Sequence, residues 1–147
     1  MDEFIIKGEA DFIKITFDEI YGFPDKTCHW GGYEVRSTLE LKSGNFKVKS
    51  TLWTSTGELF NFFQGLKECN AKLSGTVIYN SYEGNLTINA SYDNLGHVNI
   101  SGSFSEQNQF DNNLEFEFLS DQSFIKYSVD ELELIASKYG GMTGIKK

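Results

Sequence analysis

Alternation of apolar and polar residues dominates the chain and predicts a mainly antiparallel β structure. The segments at 12–17, 33–41 and 46–53 read FIKITF, YEVRSTLEL and FKVKSTLW. Each therefore places its apolar side chains on one side of a strand and its polar side chains on the other. The sequence Ser43-Gly44-Asn45 is typical of a tight turn, so the last two segments are expected to form a hairpin. In the second strand of this hairpin, the predicted inward residues are Phe46, Val48 and Leu52.

The period changes from two residues to a helical spacing after Trp53. Ser55 and Glu58 form a capping-box pattern, in which the serine oxygen accepts from the amide of residue 58 and the glutamate reaches back to the amide of Ser55. Behind this box, apolar residues recur at helical spacing. These residues are Leu59, Phe62, Phe63, Leu66 and Cys69. The pattern predicts a helix of about four turns that packs against the sheet.

Strand patterns resume in KLSGTVIYN, LTINASY, HVNISGSF and NLEFEFL, with a predicted turn at 93–96. A second Ser-x-x-Glu pattern, from Ser128 to Glu131, predicts the start of a terminal helix. The apolar stripe of this helix includes Leu132 and Ile135, and Gly140-Gly141 is expected to close it. The order of strands, helix, strands and helix predicts an α+β fold. We expect a single domain over 1–147, in which an antiparallel meander of about seven strands packs with two helices. Residues 142–147 form a basic tail that we expect to be mobile.

The net charge of the chain excludes some classes of function. The 147 residues carry 13 Lys and Arg against 21 Asp and Glu, a net charge of −8. This balance excludes a nucleic-acid binder that depends on phosphate contacts and a polybasic membrane-surface protein. The excess of acidic residues is concentrated in one part of the chain, because residues 93–135 hold nine acids and one base, Lys126. This acidic sector is either a solvated surface that keeps the protein soluble or a face that attracts a basic partner, since complementary potentials raise association rates. The predicted partner-binding residues are Glu106, Asp111, Glu115, Glu117, Asp121, Asp130 and Glu131. An exposed Phe110 in the loop between the last two strands would suit such a face.

No catalytic, metal or cofactor site is predicted from these residues. Cys28 and His29 are adjacent, and neighbouring side chains of an extended segment point to opposite sides, so they do not form a nucleophile and base pair. His97 follows Asp93 across a turn, where a hydrogen bond would be structural. Cysteine and histidine spacings typical of zinc sites are absent from the sequence. Asp130 and Glu131 are expected in a first helical turn, where negative charge is favourable.

Several longer segments resemble the WapI-like immunity proteins. They are GGYEVRSTLELKSGNFKVKSTLWTSTGELFNFFQGL, SYEGNLTINASYDNLGHVNISGSFSEQ, LEFEFLSDQSFI and the helix ending in KYGG. The resemblance covers about residues 12–141. It implies a small bacterial cytoplasmic protein, encoded beside a polymorphic or contact-dependent toxin, that binds and neutralises the C-terminal domain of that toxin. With the acidic sector, it implies occlusion of a basic domain, a nuclease being the expected class.

A second hypothesis is a small β-barrel, similar to the lipocalins, that holds a hydrophobic ligand among its aromatic residues. A helix of about four turns between the third and fourth predicted strands fits a simple up-and-down barrel poorly. A large internal cavity would favour this hypothesis, and a filled core with a flat acidic face would favour the first. The start of the chain, with Asp2 and Glu3 before a short apolar run, does not match a secretory signal. We therefore expect a cytoplasmic protein, in which Cys28 and Cys69 stay reduced.

Overall fold

In a computed structural model, residues 2–106 and 110–145 are described, and they form eight strands and two helices. In chain order the elements are β1 (Glu3–Lys7), β2 (Phe12–Tyr21), β3 (Glu34–Ser43), β4 (Phe46–Ser55), α1 (Thr56–Lys72), β5 (Thr76–Asn80), β6 (Leu86–Tyr92), β7 (His97–Ser105), β8 (Asn113–Asp121) and α2 (Gln122–Tyr139). The predicted α+β class is confirmed.

The strands form two four-stranded antiparallel sheets, in the orders β1-β2-β3-β4 and β5-β6-β7-β8, and not one meander of about seven strands. The helix α1 separates the two sheets in the chain. Its 17 residues extend over about 25 Å, and β5 after it pairs with β6 and not with β4. The additional strand is β1, which pairs with β2 in a register that places Ile5 opposite Lys14. Because the described strands form two separate sheets, they do not close into the single barrel of the ligand-binding hypothesis.

One cluster of buried side chains joins both sheets and both helices. The helical positions predicted to be in the core are buried: Leu59, Phe62, Phe63, Leu66, Leu132 and Ile135. Cys69, at the end of the first stripe, is only half-buried. The helix α1 packs beside β5, α2 packs beside β1, and the two helices contact each other. Each helix therefore covers one edge of a sheet as well as part of the core.

The hairpin of β3 and β4 has the predicted two-residue turn. Ser43 pairs with Phe46, and Gly44 between them has a φ of 61°, a conformation that favours glycine. The inward placement of Phe46 is wrong, because 65% of its surface is exposed. The first half of β4 is an edge strand that extends beyond the core, and full burial begins only at Leu52.

The first helix begins as its capping box predicts. The Ser55 hydroxyl accepts from the Glu58 amide at 3.1 Å, and Ser55 is the N-cap of α1. The helix ends at Lys72, and Leu73 follows in a left-handed conformation with a φ of 55°. Here the local pattern and the local structure agree.

The predicted start of the second helix is wrong. The helix α2 begins at Gln122, six residues before Ser128, and its N-cap is Asp121, whose carboxylate accepts from the Phe124 amide at 2.9 Å. Asp130 and Glu131 consequently lie in the middle of the helix and not in its first turn. The aspartate that ends β8, and not Ser128, is therefore the cap that meets the free amides of the first turn.

Gly140 ends α2, and its amide donates to the Ala136 carbonyl at 2.8 Å. Part of the tail 142–147 that follows is described. The Met142 carbonyl accepts from the Gly32 amide at 2.7 Å, and the Ile145 amide donates to the Tyr33 hydroxyl at 3.0 Å. These bonds hold the start of the tail beside the loop that precedes β3. Residues 146 and 147 lie outside the described residues.

Candidate partner-binding surfaces

The outer face of β6, β7 and β8 carries the first pair of predicted acidic residues. Glu115 lies opposite Ser103, and Glu117 lies opposite Ser101. Both glutamates are exposed, as the alternation predicts. The side-chain amide of Asn99 donates to Glu117 Oε2 at 3.1 Å. Thr87 and Asn89 continue the same two rows on β6. We call the six residues Thr87, Asn89, Ser101, Ser103, Glu115 and Glu117 the polar face. It is a shallow surface with two carboxylates among small uncharged groups.

Glu106 and Asp111 lie at the end of the same sheet, on the connection between β7 and β8. They line a surface groove together with Phe46 and Lys47 of β4. The Glu106 amide donates to the Asn112 carbonyl at 3.0 Å, which closes the connection. Phe110, in the same connection, is exposed as expected. These two acids are thus close in sequence to the strands of the polar face. In space they lie near Lys47 of the other sheet.

The three remaining predicted residues already have structural partners. Asp121 caps α2. Asp130 Oδ1 accepts from Lys126 Nζ at 2.6 Å, one turn earlier in the same helix. Glu131 Oε1 accepts from the Ile5 amide at 3.0 Å, and burial raises the pKa of its carboxyl. The fold therefore places four of the predicted acids around β7 and β8 and uses the other three at or along α2.

The cysteines and histidines have local contacts. Cys28 Sγ donates to the Gly31 carbonyl at 3.6 Å, and the His29 ring meets the Trp30 ring edge-on. His97 Nδ1 lies 3.1 Å from Asp93 Oδ2, so the expected turn contact is present. Burial raises the pKa of the Cys69 thiol. Within residues 2–106 and 110–145, no three His, Cys, Asp or Glu side chains are arranged to hold a metal ion.

Glu58 is the most perturbed carboxyl group, and sequence reasoning assigned it only to the helix cap. Burial raises its pKa from 4.5 to about 7, against the lowering effect of its hydrogen bonds to Ser55 and Thr54. Thr54 in turn bonds to the buried Tyr79 hydroxyl at 2.7 Å. Perturbed carboxyls often mark functional sites. Here the group serves the first turn of α1, and no other acid or base is bonded to it in the described part of the chain.

Four aromatic side chains meet beside the sheet of β2, β3 and β4, and sequence reasoning did not group them. Trp30 stacks on Tyr82 with ring centres 4.9 Å apart, and Tyr21 stacks on Trp53 with ring centres 5.9 Å apart. We call these four residues the aromatic surface. A signal was available for one of them, because Trp53 occupies a polar position of an alternating strand, between Leu52 and Thr54, and must therefore point away from the core.

Comparison with protein families decides which group this chain belongs to. The model of the immunity protein WapI-like family matches residues 4–140. The chain belongs to this family. The match includes both helices and both sheets except Glu3, the first residue of β1, so it covers the polar face and the aromatic surface alike. It assigns the chain to the immunity proteins of toxin systems and agrees with the resemblance noted in its sequence.

Searches of curated proteins and of solved structures gave no match. Neither α1 nor α2, the helices of the described residues, has the length and apolar character that crossing a membrane requires. The family and the geometry of these surfaces are therefore the grounds on which a function can be argued.

Proposed function

We propose that this chain neutralises the C-terminal domain of a cognate bacterial toxin by binding it in the cytoplasm, without catalysing a reaction. The observation that carries the proposal is the family match over residues 4–140. Neutralisation by binding requires only that the immunity protein cover the toxin's working surface. The buried cluster that joins the two sheets and the exposed polar face suit that task.

The partner is proposed to be a basic domain, with a nuclease as its class. A nuclease must hold phosphates with cations, and an acidic inhibitor can cover those cations. The net charge of −8 supports this choice. So does the position of Glu115 and Glu117, which are exposed on a shallow face with no cation among its lining residues. Charges placed in this way act at long range and accelerate encounter more than they tighten the final complex.

The role itself is tested by co-expression. The C-terminal domain of the toxin encoded beside this gene is produced in a bacterial host with or without this chain. Growth arrest by the toxin domain alone, and growth when both are present, is the expected result. Purified proteins should also form a complex of fixed stoichiometry. Continued arrest in the presence of folded immunity protein, with no complex formed, would contradict the proposed function.

The polar face is tested by charge reversal. The double variant Glu115→Lys/Glu117→Lys should associate with the toxin domain about tenfold more slowly at low salt, because the steering charges are inverted. Its fold should be unchanged, since both side chains are exposed. Rate constants are measured by surface-based binding at two salt concentrations, and raising the salt should slow the wild type more than the variant.

The matched control is Asp25→Lys/Glu68→Lys, which makes the same change in net charge at two exposed residues outside the polar face. If position matters, this control should retain most of the wild-type association rate. Equal slowing of both double variants would show that only net charge acts. Unchanged rates and salt slopes in the Glu115/Glu117 variant would place the partner on another surface.

A further inference from the structure

The aromatic surface is continuous across the end of the sheet that contains β2, β3 and β4. Tyr21 lies opposite Glu34, and Trp53 lies opposite Arg36, in neighbouring rows. The Tyr82 hydroxyl, from the connection between β5 and β6, donates to Glu34 Oε2 at 3.0 Å. Trp30 then stacks on Tyr82 with an angle of only 4° between the ring planes. Glu34 thus lies opposite Tyr21 of one stacked pair in the strand register and is bonded to Tyr82 of the other.

This surface exposes more aromatic area than folding alone requires. Both tryptophans of the chain belong to it. Trp30 is 43% exposed and Tyr21 is 38% exposed, whereas Tyr33, three residues after Trp30, is completely buried. Tryptophan, tyrosine and arginine are the residues that most often dominate the binding energy of protein interfaces. An exposed group of such residues is informative in a way that one exposed leucine is not.

The loop that presents Trp30 is tightly built. The Gly57 amide at the start of α1 donates to the Gly31 carbonyl at 3.1 Å, and the Gly32 amide donates to the Met142 carbonyl at 2.7 Å. Gly32 has a φ of 62°, and a side chain there would lie 2.6 Å from the Gly57 nitrogen. The backbone on the C-terminal side of Trp30 is therefore fixed by the start of α1 and by the segment that follows α2. A ring held in this way loses little conformational entropy when a partner covers it.

The charge around the stacked rings favours a cation. Burial, the hydrogen bond to Glu34 and the charges of Glu34, Glu83 and Glu58 all raise the pKa of the Tyr82 hydroxyl. Carboxyl groups therefore lie near this hydroxyl, and Glu34 is bonded to it directly. In the neighbouring row, Arg36 Nη2 lies 3.5 Å from Glu19 Oε2, and the backbone of Arg36 lies opposite that of Trp53.

We infer that the aromatic surface is the anchor of the toxin interface, and that it receives an arginine side chain of the toxin's C-terminal domain. The guanidinium plane stacks on the exposed aromatic rings, and its N–H groups donate to Glu34, of which the Tyr82 hydroxyl occupies one acceptor position. This inference rests on the proposed function. It divides the work between two surfaces: the polar face accelerates encounter, and the aromatic surface slows dissociation.

The first test needs no mutation. The chain is labelled with fluorotryptophan, which gives one fluorine resonance for each of its two tryptophans. Adding the unlabelled toxin domain encoded beside this gene should shift the resonances of both Trp30 and Trp53. Resonances that stay in place while a complex forms would overturn the inference and leave the proposed function standing. The absence of any complex would overturn both.

The second test measures dissociation. Trp30→Ala should raise the dissociation rate by about 30-fold or more, the scale of an interface hot spot, with little change in the association rate. The matched control is Tyr127→Ala, an exposed aromatic residue of α2. It should stay within about twofold of the wild type. Equal dissociation rates for the two variants would overturn the inference.

Glu34→Gln tests the arginine and removes only a charge, so it remains informative if Trp30→Ala is poorly folded. Each arginine of the toxin domain is changed to alanine in the wild-type and Glu34→Gln backgrounds. One arginine should lose most of its effect on the dissociation rate when Glu34 is already changed, because the two residues act as a pair. Additive effects for every arginine would overturn the assignment of a guanidinium to this surface.

Discussion

The two helices contain the same local pattern, a serine followed three residues later by a glutamate, and use it differently. In α1, Ser55 and Glu58 cap the first turn, and the serine oxygen accepts from the Glu58 amide at 3.1 Å. In α2, Ser128 and Glu131 lie in the middle of the helix and bind another element. The Ser128 hydroxyl donates to the Ile5 carbonyl at 2.6 Å, and the Ile5 amide donates to Glu131 Oε1 at 3.0 Å.

The difference shows that a Ser-x-x-Glu pattern supplies one hydroxyl and one carboxylate. These groups bond to whichever backbone groups nearby lack a partner. At Ser55 the nearest free backbone groups are those of the helix itself, since β4 ends there. At Ser128 the helix amides are already bonded, and the free groups belong to Ile5 on the outer edge of β1. An unpaired edge strand invites pairing with other chains. By satisfying Ile5, α2 closes that edge with side chains.

Truncating a core side chain of α1 should have the largest effect on stability. Phe62 of α1 is 2% exposed, and truncation of an enclosed phenylalanine costs about 3–5 kcal/mol. We expect Phe62→Ala to lose that much in a urea unfolding experiment. Leu134→Ala, on the exposed side of α2, is the control and should stay within about 0.5 kcal/mol of the wild type. Similar urea midpoints for the two variants would show that Phe62 does not pack in the core.

Removing each of the two serine and glutamate patterns should destabilise a different segment of the chain. Ser128→Ala/Glu131→Ala leaves the Ile5 amide and carbonyl without these partners, and we expect a loss of about 1–3 kcal/mol. Ser55→Ala removes a cap and should cost about 1 kcal/mol. Hydrogen exchange separates the two cases. The first variant should lose protection in β1, and the second should lose it in the first turn of α1.

This comparison would fail if both variants exposed the same segment. Loss of protection throughout the chain in the Ser128/Glu131 variant would show global destabilisation instead of an opened edge. Unchanged protection of Ile5 in that variant would show that the bonds from α2 do not close the strand. The exchange rate of the Ile5 amide is therefore the decisive measurement.

The smallest expected effect is the pH dependence of Glu58. Its pKa in the folded protein, about 7, lies above the ordinary value of 4.5, so the folded state binds this proton more tightly than the unfolded state does. The resulting stabilisation is complete below the ordinary value and is lost as the pH rises through 7. Glu58→Gln keeps the capping acceptor and does not titrate. Its melting temperature relative to the wild type should therefore rise between about pH 5 and about pH 8.

Solvent access to Glu58 limits this effect to less than about 1 kcal/mol. Glu58→Ala is the control, because it removes the capping acceptor along with the charge. It should be less stable than Glu58→Gln at both pH values. A constant difference in melting temperature between the wild type and Glu58→Gln would show that the pKa of this carboxyl is not raised.

Several features of the molecule follow from the sequence alone. Alternation placed Glu115 and Glu117 outside the sheet, helical spacing placed Phe62 and Leu132 in the core, and Ser55 marked the start of α1. These predictions depend on residues that are close in the chain, where the periods of strand and helix leave one choice of face. The turn at Gly44 belongs to the same group, because its backbone conformation is set locally.

Other features required the tertiary structure, because they depend on residues that are far apart in the chain. The partner of Glu131 is Ile5, the partner of Trp30 is Tyr82, and neither pairing leaves a local periodic signal. The division into two sheets and the exposure of Phe46 depend on how far each strand extends past the core. Sequence alone thus determined which side of an element faces the core, and not how far along that side burial extends. Only the packing of elements against one another decided which outward side chains meet, since that depends on the relative placement of strands and helices.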